Sequence, residues 1–388
     1  MNVSFLVLNR WCYTIFLSFL ALSPGLLWSG SVGSGITAPV ALEHGFQYQH
    51  DVVKETPWSI HILRIDRSRR DLAWVTSLGG GHHIGKSTLS EQVRLLPSSL
   101  GKPIGAINGD FYLDEGDLPG DPRDLQIREG ELISAPTGHA CFWIDSESSP
   151  HCTNVTSRLR VMLPDRKELP IGLNQVRGRD EAVLYSSAVG ATTPASSGAE
   201  YVLEPVDNCW LPLQVGRNLN ARVREVRSGG KSPLTTNTLV LSLGPSVEAR
   251  LAPGSQIQLL LETHPNLTGV QTGIGGGPTL VRHGKPMRWS GVHLRHPRSA
   301  IGWNDQSIFL VEVDGRQAGL SAGMSFPELA EYMAKLGCQE AMNLDGGGSA
   351  TLWVLGQVMN SPSEGKERPG ANGLILVQRK PGADTEVR

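Results

Sequence analysis

Ala341-Met342-Asn343-Leu344-Asp345-Gly346-Gly347-Gly348-Ser349-Ala350-Thr351-Leu352 is the stretch of this 388-residue chain on which the fold reading turns. An apolar strand carries an Asn and an Asp, breaks at three glycines, and resumes as a second strand from Thr351 to Leu355. Consecutive glycines free the backbone from Cβ sterics and let a ligand approach the main chain. An Asx-closed turn would explain the same residues without a ligand. Just upstream, Ser325 and Glu328 form a capping box for a helix running to about Leu336. Phe326, Leu329, Met333 and Leu336 give that helix one apolar stripe, and Gly337 stops it. Before it, Ile308 to Val313 reads as a strand ending in Asp314-Gly315-Arg316. Strand, helix and strand at this spacing predict a right-handed crossover with parallel strands. The expected class is therefore α/β (mixed α+β), a central mixed sheet with crossover helices. Asp314 and Asp345 would sit at the carboxyl edge, where open α/β sheets keep their sites.

Further out, Pro103 to Tyr112 is a buried-type strand running into Asn108-Gly109-Asp110-Phe111-Tyr112. Polar residues at the end of an apolar strand are costly unless bonded or used. Asp114, Asp117, Asp121 and Asp124 crowd the following loop, whose spacing is not that of an EF-hand. That loop reads as solvated, over the mouth of a site. Gly273 to Val281 holds a second triple glycine, but Pro278 stands where a dinucleotide-binding helix would begin. His293 to Trp303 concentrates cations, with guanidinium forks suited to carboxylate or phosphate.

Gly80-Gly81-His82-His83-Ile84-Gly85-Lys86-Ser87 satisfies the phosphate-loop pattern. Thr88 and Glu91 explain the Ser-Thr pair as a helix cap, and no clean partner Asp follows an apolar run, so the stretch is read as a mobile loop without nucleotide. Trp58 to Ile65 alternates as a half-buried strand, with Asp71 to Thr76 its expected hairpin partner.

A net charge of -2 and the lack of a long basic run argue against a nucleic-acid binder. Gly 45 and Pro 25 with 6% aromatics describe a loop-rich, strand-rich globular chain. Arg10, the apolar run Trp11 to Leu22, Pro24-Gly25 and the small residues after Ser29 have the layout of a secretory signal. The run is shorter than the roughly 20 residues of a membrane span. Secreted or periplasmic localisation follows, with no stable span after signal cleavage. Cys141, Cys152, Cys209 and Cys338 remain after Cys12, and Cys141 with Cys152 could bridge a hairpin. Asn154-Val155-Thr156 and Asn266-Leu267-Thr268 are sequons. The domain plan is a signal and leader over 1–40, one domain over 41–380 with a β-rich subdomain at 157–262, and a tail at 381–388.

Taken together, Asn108 to Tyr112, Gly275-Gly276-Gly277-Pro278, Leu280-Val281, Arg298 to Trp303, Asp314-Gly315-Arg316, Asn343 to Ser349 and Arg368-Pro369 resemble the phosphodiester glycosidase family over roughly residues 85 to 378. The resemblance implies hydrolysis of a sugar-1-phosphodiester to a free sugar and a phosphomonoester, on N-acetylglucosamine-type or exopolysaccharide-like substrates, with no metal or cofactor. Glycosidases commonly use two carboxylates, and Asp110 and Asp345 are the expected pair. Arg298, with Arg316 or His296, would neutralise the phosphate. Asn108 and Asn343 would bind sugar hydroxyls, and Gly346, Gly347 and Gly348 with Ser349 would meet the phosphate through the main chain. Two alternatives stand beside this: a non-catalytic glycan-binding or envelope polysaccharide-assembly protein, and a calcium-dependent hydrolase built on Asp110, Asp345 and the Asp-rich loop.

Overall fold

The strand Arg298–Trp303 is buried at every position because both of its faces are covered. Ile301 and Trp303 face one core with Ile308, Leu310, Met342 and Leu344. Ala300 faces the other, where Leu329, Ala330 and Met333 of a helix pack on Val311 and Val313. In this computed structural model residues 35–36, 40–43, 45–206 and 210–379 are described. The signal-like segment, the tail and Cys209 lie outside them, apart from residues 35–36 and 40 of the leader.

Three sheets carry the fold. The first runs, in spatial order, through Phe46–Val53, Trp58–Asp66, Ser307–Val313, Arg298–Trp303, Glu340–Asn343 and Thr279–Arg282. A smaller sheet orders Leu352–Val354, Lys102–Asn108, Gly373–Gln378 and Leu72–Thr76. The largest holds Pro150–Met162, Asn218–Ser228, Leu239–Leu243 and Gln256–His264. It also takes in Gln126–Arg128, Thr137–Ile144 and Thr272–Gly275, from either side of the 157–262 segment. Asn218–Ser228 shows the cause plainly: Leu219, Ala221 and Val223 point inward while their neighbours are exposed, the two-residue period of a sheet with one buried face.

The α/β expectation is overturned. Only two α-helices, Leu89–Arg94 and Phe326–Lys335, occur among the described residues. Every strand pair there is antiparallel except Gly172–Leu173 with Val183–Leu184. The helix Phe326–Lys335 is capped by Ser325 and Glu328 as expected. It links Ser307–Val313 to Glu340–Asn343, which run in the same direction, but Arg298–Trp303 lies between them, antiparallel to both. The crossover spans an occupied position, so no adjacent parallel pair forms. Sequential spacing was right, and a hairpin strand arriving from upstream decided the sheet.

Three local expectations also give way. Trp58–Asp66 pairs with Phe46–Val53 and Ser307–Val313, while Leu72–Thr76 pairs with Gly373–Gln378 in another sheet. Cys141 sits opposite Thr153 and Cys152 opposite Phe142, one residue out of register. Their thiols therefore enter different cores and both are free. The glycine loop at 79–86 is packed: a Cβ at Gly79 would stand 2.6 Å from the Gly370 carbonyl oxygen. Lys86 is tied to the Asp114 side chain (2.5 Å) and carbonyl (2.7 Å), and Thr88 accepts the Glu91 N–H as the helix cap.

Candidate active site

Asp345 follows the buried strand Glu340–Asn343 and Leu344, at the point where the glycines open the chain. Its Oδ1 accepts the N–H of Gly346 at 2.8 Å. Burial lifts its carboxyl above the usual range, while Ser349, the Gly346 N–H, Arg368 and Arg123 pull it back. Ser349 achieves this by proximity, since its Oγ closes no well-formed hydrogen bond among the described residues. Each glycine has a separate reason. A side chain at Gly346 would meet the Pro297 carbonyl at 2.6 Å. Gly347 has a φ of +61°, and its missing Cβ leaves room for the Arg316 guanidinium at 3.2 Å. Gly348 lies against the guanidinium of Arg368 and the carboxylate of Glu364.

Cations therefore converge on the loop from two sides. Arg316, in the left-handed region at φ 58°, contacts His296 Nδ1 at 3.2 Å. Burial, Arg298 and Arg316 together hold the His296 imidazole below its ordinary pKa. Arg368 pairs with Glu364, four residues earlier in the same loop. Tyr112, whose hydroxyl donates to the Pro369 carbonyl at 2.9 Å, is raised by burial and feels Asp345 and Arg368. Arg123 adds a further charge, its guanidinium 4.3 Å from the Phe111 ring centre, with Nη2 on the Gly276 carbonyl at 2.9 Å. Phe111, Arg123, Gly276, Pro278, Trp289 and Phe326 border an open cavity of about 540 Å³.

The other expected site residues are placed differently. Asp110 is 2% exposed, its two oxygens accepting the N–H groups of Phe111 and Asp124 at 2.8 and 2.7 Å. Burial and the Asp124 charge raise its carboxyl well above the ordinary range. It neighbours Asp345 through the backbone, where Asp345 N–H donates to the Gly109 carbonyl at 2.8 Å. Asn108 donates to the Asp345 carbonyl at 2.7 Å and accepts from Ser299 Oγ (2.6 Å) and the Thr351 N–H (3.0 Å). Asn343, fully buried, donates to the carbonyls of Gly277 and Leu344. Both asparagines brace main chain beneath the site. Arg298 is 8% exposed, donates to the carbonyls of Met324 and Leu294, and stacks 4.0 Å from the Phe326 ring centre. Burial and Arg316 lower it to about 10. The N–H groups of Gly346 and Gly347 are spent on Asp345 and on the Pro297 carbonyl.

Asp124 is no solvated loop residue. It is fully buried and takes hydrogen bonds from Thr137 and Arg123, with His139 at 3.0 Å. A calcium ion shared between Asp110 and the loop would have to break these bonds. Tyr112, Arg123 and Arg368 join the site beyond the residues expected from sequence; Tyr112 and Arg368 belong to the motifs that carry the family resemblance, whereas nothing local distinguishes Arg123.

Residues 219–377 match the family model described as phosphodiester glycosidase. The stretch includes Asp345 and the arginines at 298, 316 and 368, but not Asn108 to Tyr112. A prophage-derived uncharacterized protein, YomE, of Bacillus subtilis is 32% identical over 126 residues, which is 31% of this chain and 19% of that protein. The chain thus matches about a fifth of that relative's length. A hypothetical protein from Synechocystis superposes with a TM-score of 0.72 at 18% identity, over 90% of this chain and 64% of its own. A candidate exported protein from Burkholderia pseudomallei gives 0.63 at 24% identity, over 83% and 74%. These two likenesses concern the fold. The zebrafish N-acetylglucosamine-1-phosphodiester alpha-N-acetylglucosaminidase catalytic domain gives 0.43 at 16% identity, over 89% and 82%. Over residues 219–377, which supply Asp345 and the arginines gathered around its glycine loop, the chain carries the sequence pattern of the phosphodiester glycosidase family.

Proposed function

We propose that the chain is an exported hydrolase that cleaves a sugar-1-phosphodiester, adding water across the bond to give a free sugar and a phosphomonoester. The observation that carries this reading is Asp345, with its carboxyl raised by burial, standing at a glycine break with Arg316 against Gly347 and Arg368 against Gly348. A carboxyl group beside clustered guanidinium groups suits a reaction in which one group acts at the anomeric carbon and others hold a departing phosphate. Arg316 and Arg368 take the phosphate, with His296 beside them. Phosphate leaves as a good leaving group, so neutralising its charge matters more than protonating it.

Asp345 is the acid–base or nucleophilic carboxylate. Asp110, sequestered by two main-chain N–H groups, positions the loop that faces it. The cavity bordered by Phe111, Trp289 and Phe326 receives the sugar, aromatic faces packing on its C–H surface. Export rests on the run Trp11 to Leu22 and the small residues after it; no helix among the described residues is long and apolar enough to cross a membrane.

The test is a panel of sugar-1-phosphodiesters incubated with wild type and Asp345→Asn, with free sugar measured. Release by wild type alone supports the proposal. Release from none of them, with glycan binding retained, would replace it with the glycan-binding or polysaccharide-assembly reading.

A further inference from the structure

His61 and Glu312 face each other directly across the Trp58–Asp66 and Ser307–Val313 pair. The alternation of those strands puts both on the face that carries Leu63, Ile65, Ile308 and Leu310. Asp314, two residues beyond Glu312, closes the group. One ligand-capable atom from each of the three lies within 4.8 Å of the others, and all three side chains are buried. His61 Nε2 stands 3.0 Å from Asp314 Oδ2.

Two observations go beyond a buried ion pair. Glu312 is fully buried, yet neither of its carboxylate oxygens finds a hydrogen-bond partner among the described residues. The neighbouring Asn360 amide donates one N–H to the Ala350 carbonyl at 3.1 Å, and its influence on Glu312 closes no well-formed hydrogen bond. An unpaired carboxylate in such a place is among the costliest arrangements a core can hold. The surroundings also orient the imidazole: Tyr48 Oη lies 2.7 Å from His61 Nδ1. With an ion at Nε2, the Nδ1–H would donate to Tyr48, as outer hydrogen bonds commonly direct a ligating histidine; without one, the opposite tautomer lets Nε2–H donate to Asp314. Ser59 donates to Asp314 Oδ2 at 2.7 Å, and Ser361 N–H to Asp314 Oδ1 at 2.8 Å.

We propose that His61, Glu312 and Asp314 form a structural binding site for one divalent transition-metal ion, with Zn²⁺ the best match. An imidazole nitrogen with two carboxylate oxygens is a borderline donor set of the kind zinc accepts, with bonds of about 2.0–2.2 Å. Drawing atoms as much as 4.8 Å apart onto one ion takes side-chain shifts of about 1 Å or less. The ion would offset the two negative charges and occupy the lone pairs that Glu312 leaves unused. Its position also gives it a task. Asp314 begins the turn that presents Arg316, and Ser299, opposite Glu312 on the next strand, bonds Asn108, the residue that holds the Asp345 carbonyl. A cation here would lock the floor under the proposed active site without touching substrate.

The test reads metal content and stability, independently of activity. The full mature chain, purified without chelator or affinity metal, is analysed by elemental mass spectrometry, then unfolded with chelator and refolded with and without ZnCl₂. The expected result is close to one equivalent of zinc or a similar divalent ion per chain, and a thermal transition that falls without metal and recovers with Zn²⁺. Glu312→Gln and His61→Ala should each lose the metal and the response to it. Glu312→Gln keeps the shape of the side chain and so guards against simple misfolding. Wild type that binds no divalent metal either as purified or after refolding with ZnCl₂ would overturn the proposal. Retention of metal by both folded variants would overturn it equally.

Discussion

The Asn108 side chain donates its amide to the main-chain carbonyl of Asp345 at 2.7 Å, across 237 positions of sequence. The same side chain accepts the Ser299 hydroxyl and the Thr351 N–H. One buried amide thus joins three segments beneath the carboxylate proposed to act on substrate. Asn108→Ala leaves the Thr351 N–H unpaired and frees the Asp345 backbone, a loss of roughly 1–3 kcal/mol. The thermal transition should fall, and turnover should fall more than KM changes. An unchanged transition with a raised KM would mean that Asn108 touches sugar directly.

Asp345→Asn should lower turnover by at least about 10³ on every substrate, because a carboxylate acting on the anomeric carbon is needed whatever leaves. Steady-state rates on a sugar-1-phosphodiester and on an aryl glycoside of the same sugar check it. Loss confined to the phosphodiester would move Asp345 into the phosphate site.

The arginines divide by burial. Arg316 and Arg368 border the glycine loop, so Arg316→Ala and Arg368→Ala should each cost roughly 10²–10³ in turnover on phosphodiesters and far less on the aryl glycoside. Arg298 is packed against Phe326 and bonded to two carbonyls. Arg298→Ala should instead lower the thermal transition and weaken both substrates alike. A selective loss for Arg298→Ala would place the phosphate beside Phe326.

Asp121 supplies a pH signature. Burial raises its carboxyl to about 7 from an ordinary 3.8. The folded state therefore holds a proton that the unfolded chain releases at lower pH. The sign is destabilising as pH rises: the penalty is absent below about pH 4, grows between pH 4 and 7, and is complete above 7. Asp121→Asn should raise the thermal transition at pH 8, by an amount equivalent to roughly 2–4 kcal/mol, and leave it unchanged at pH 4. Equal shifts at both pH values would show that charge is not the cause.

Lys86→Ala should keep turnover within about twofold of wild type, since the ammonium contacts Asp114 and a carbonyl at an exposed site. Measurable ATP binding by the wild-type protein would restore the phosphate-loop reading.

Local chemistry alone determined several features of this protein. The Ser325–Glu328 cap, the stop at Gly337 and the Asp345–Gly348 break all follow from neighbours within a few residues, where sequence is nearly sufficient. The order of motifs likewise pointed to the family pattern that residues 219–377 match. Tertiary structure decided what depends on which strand lies beside which. Arg298–Trp303 filled the gap that a parallel pair would have used, and a one-residue offset sent Cys141 and Cys152 into different cores. The strand ladder brought His61 opposite Glu312 across 251 positions, and folding brought Arg123 near Asp345. Asp110 and Asp345 share a sequence signature, an Asp at a strand end beside glycine. One is sealed by main-chain N–H groups and the other lies half-buried among arginines, because burial and partners belong to the assembled fold and not to the motif.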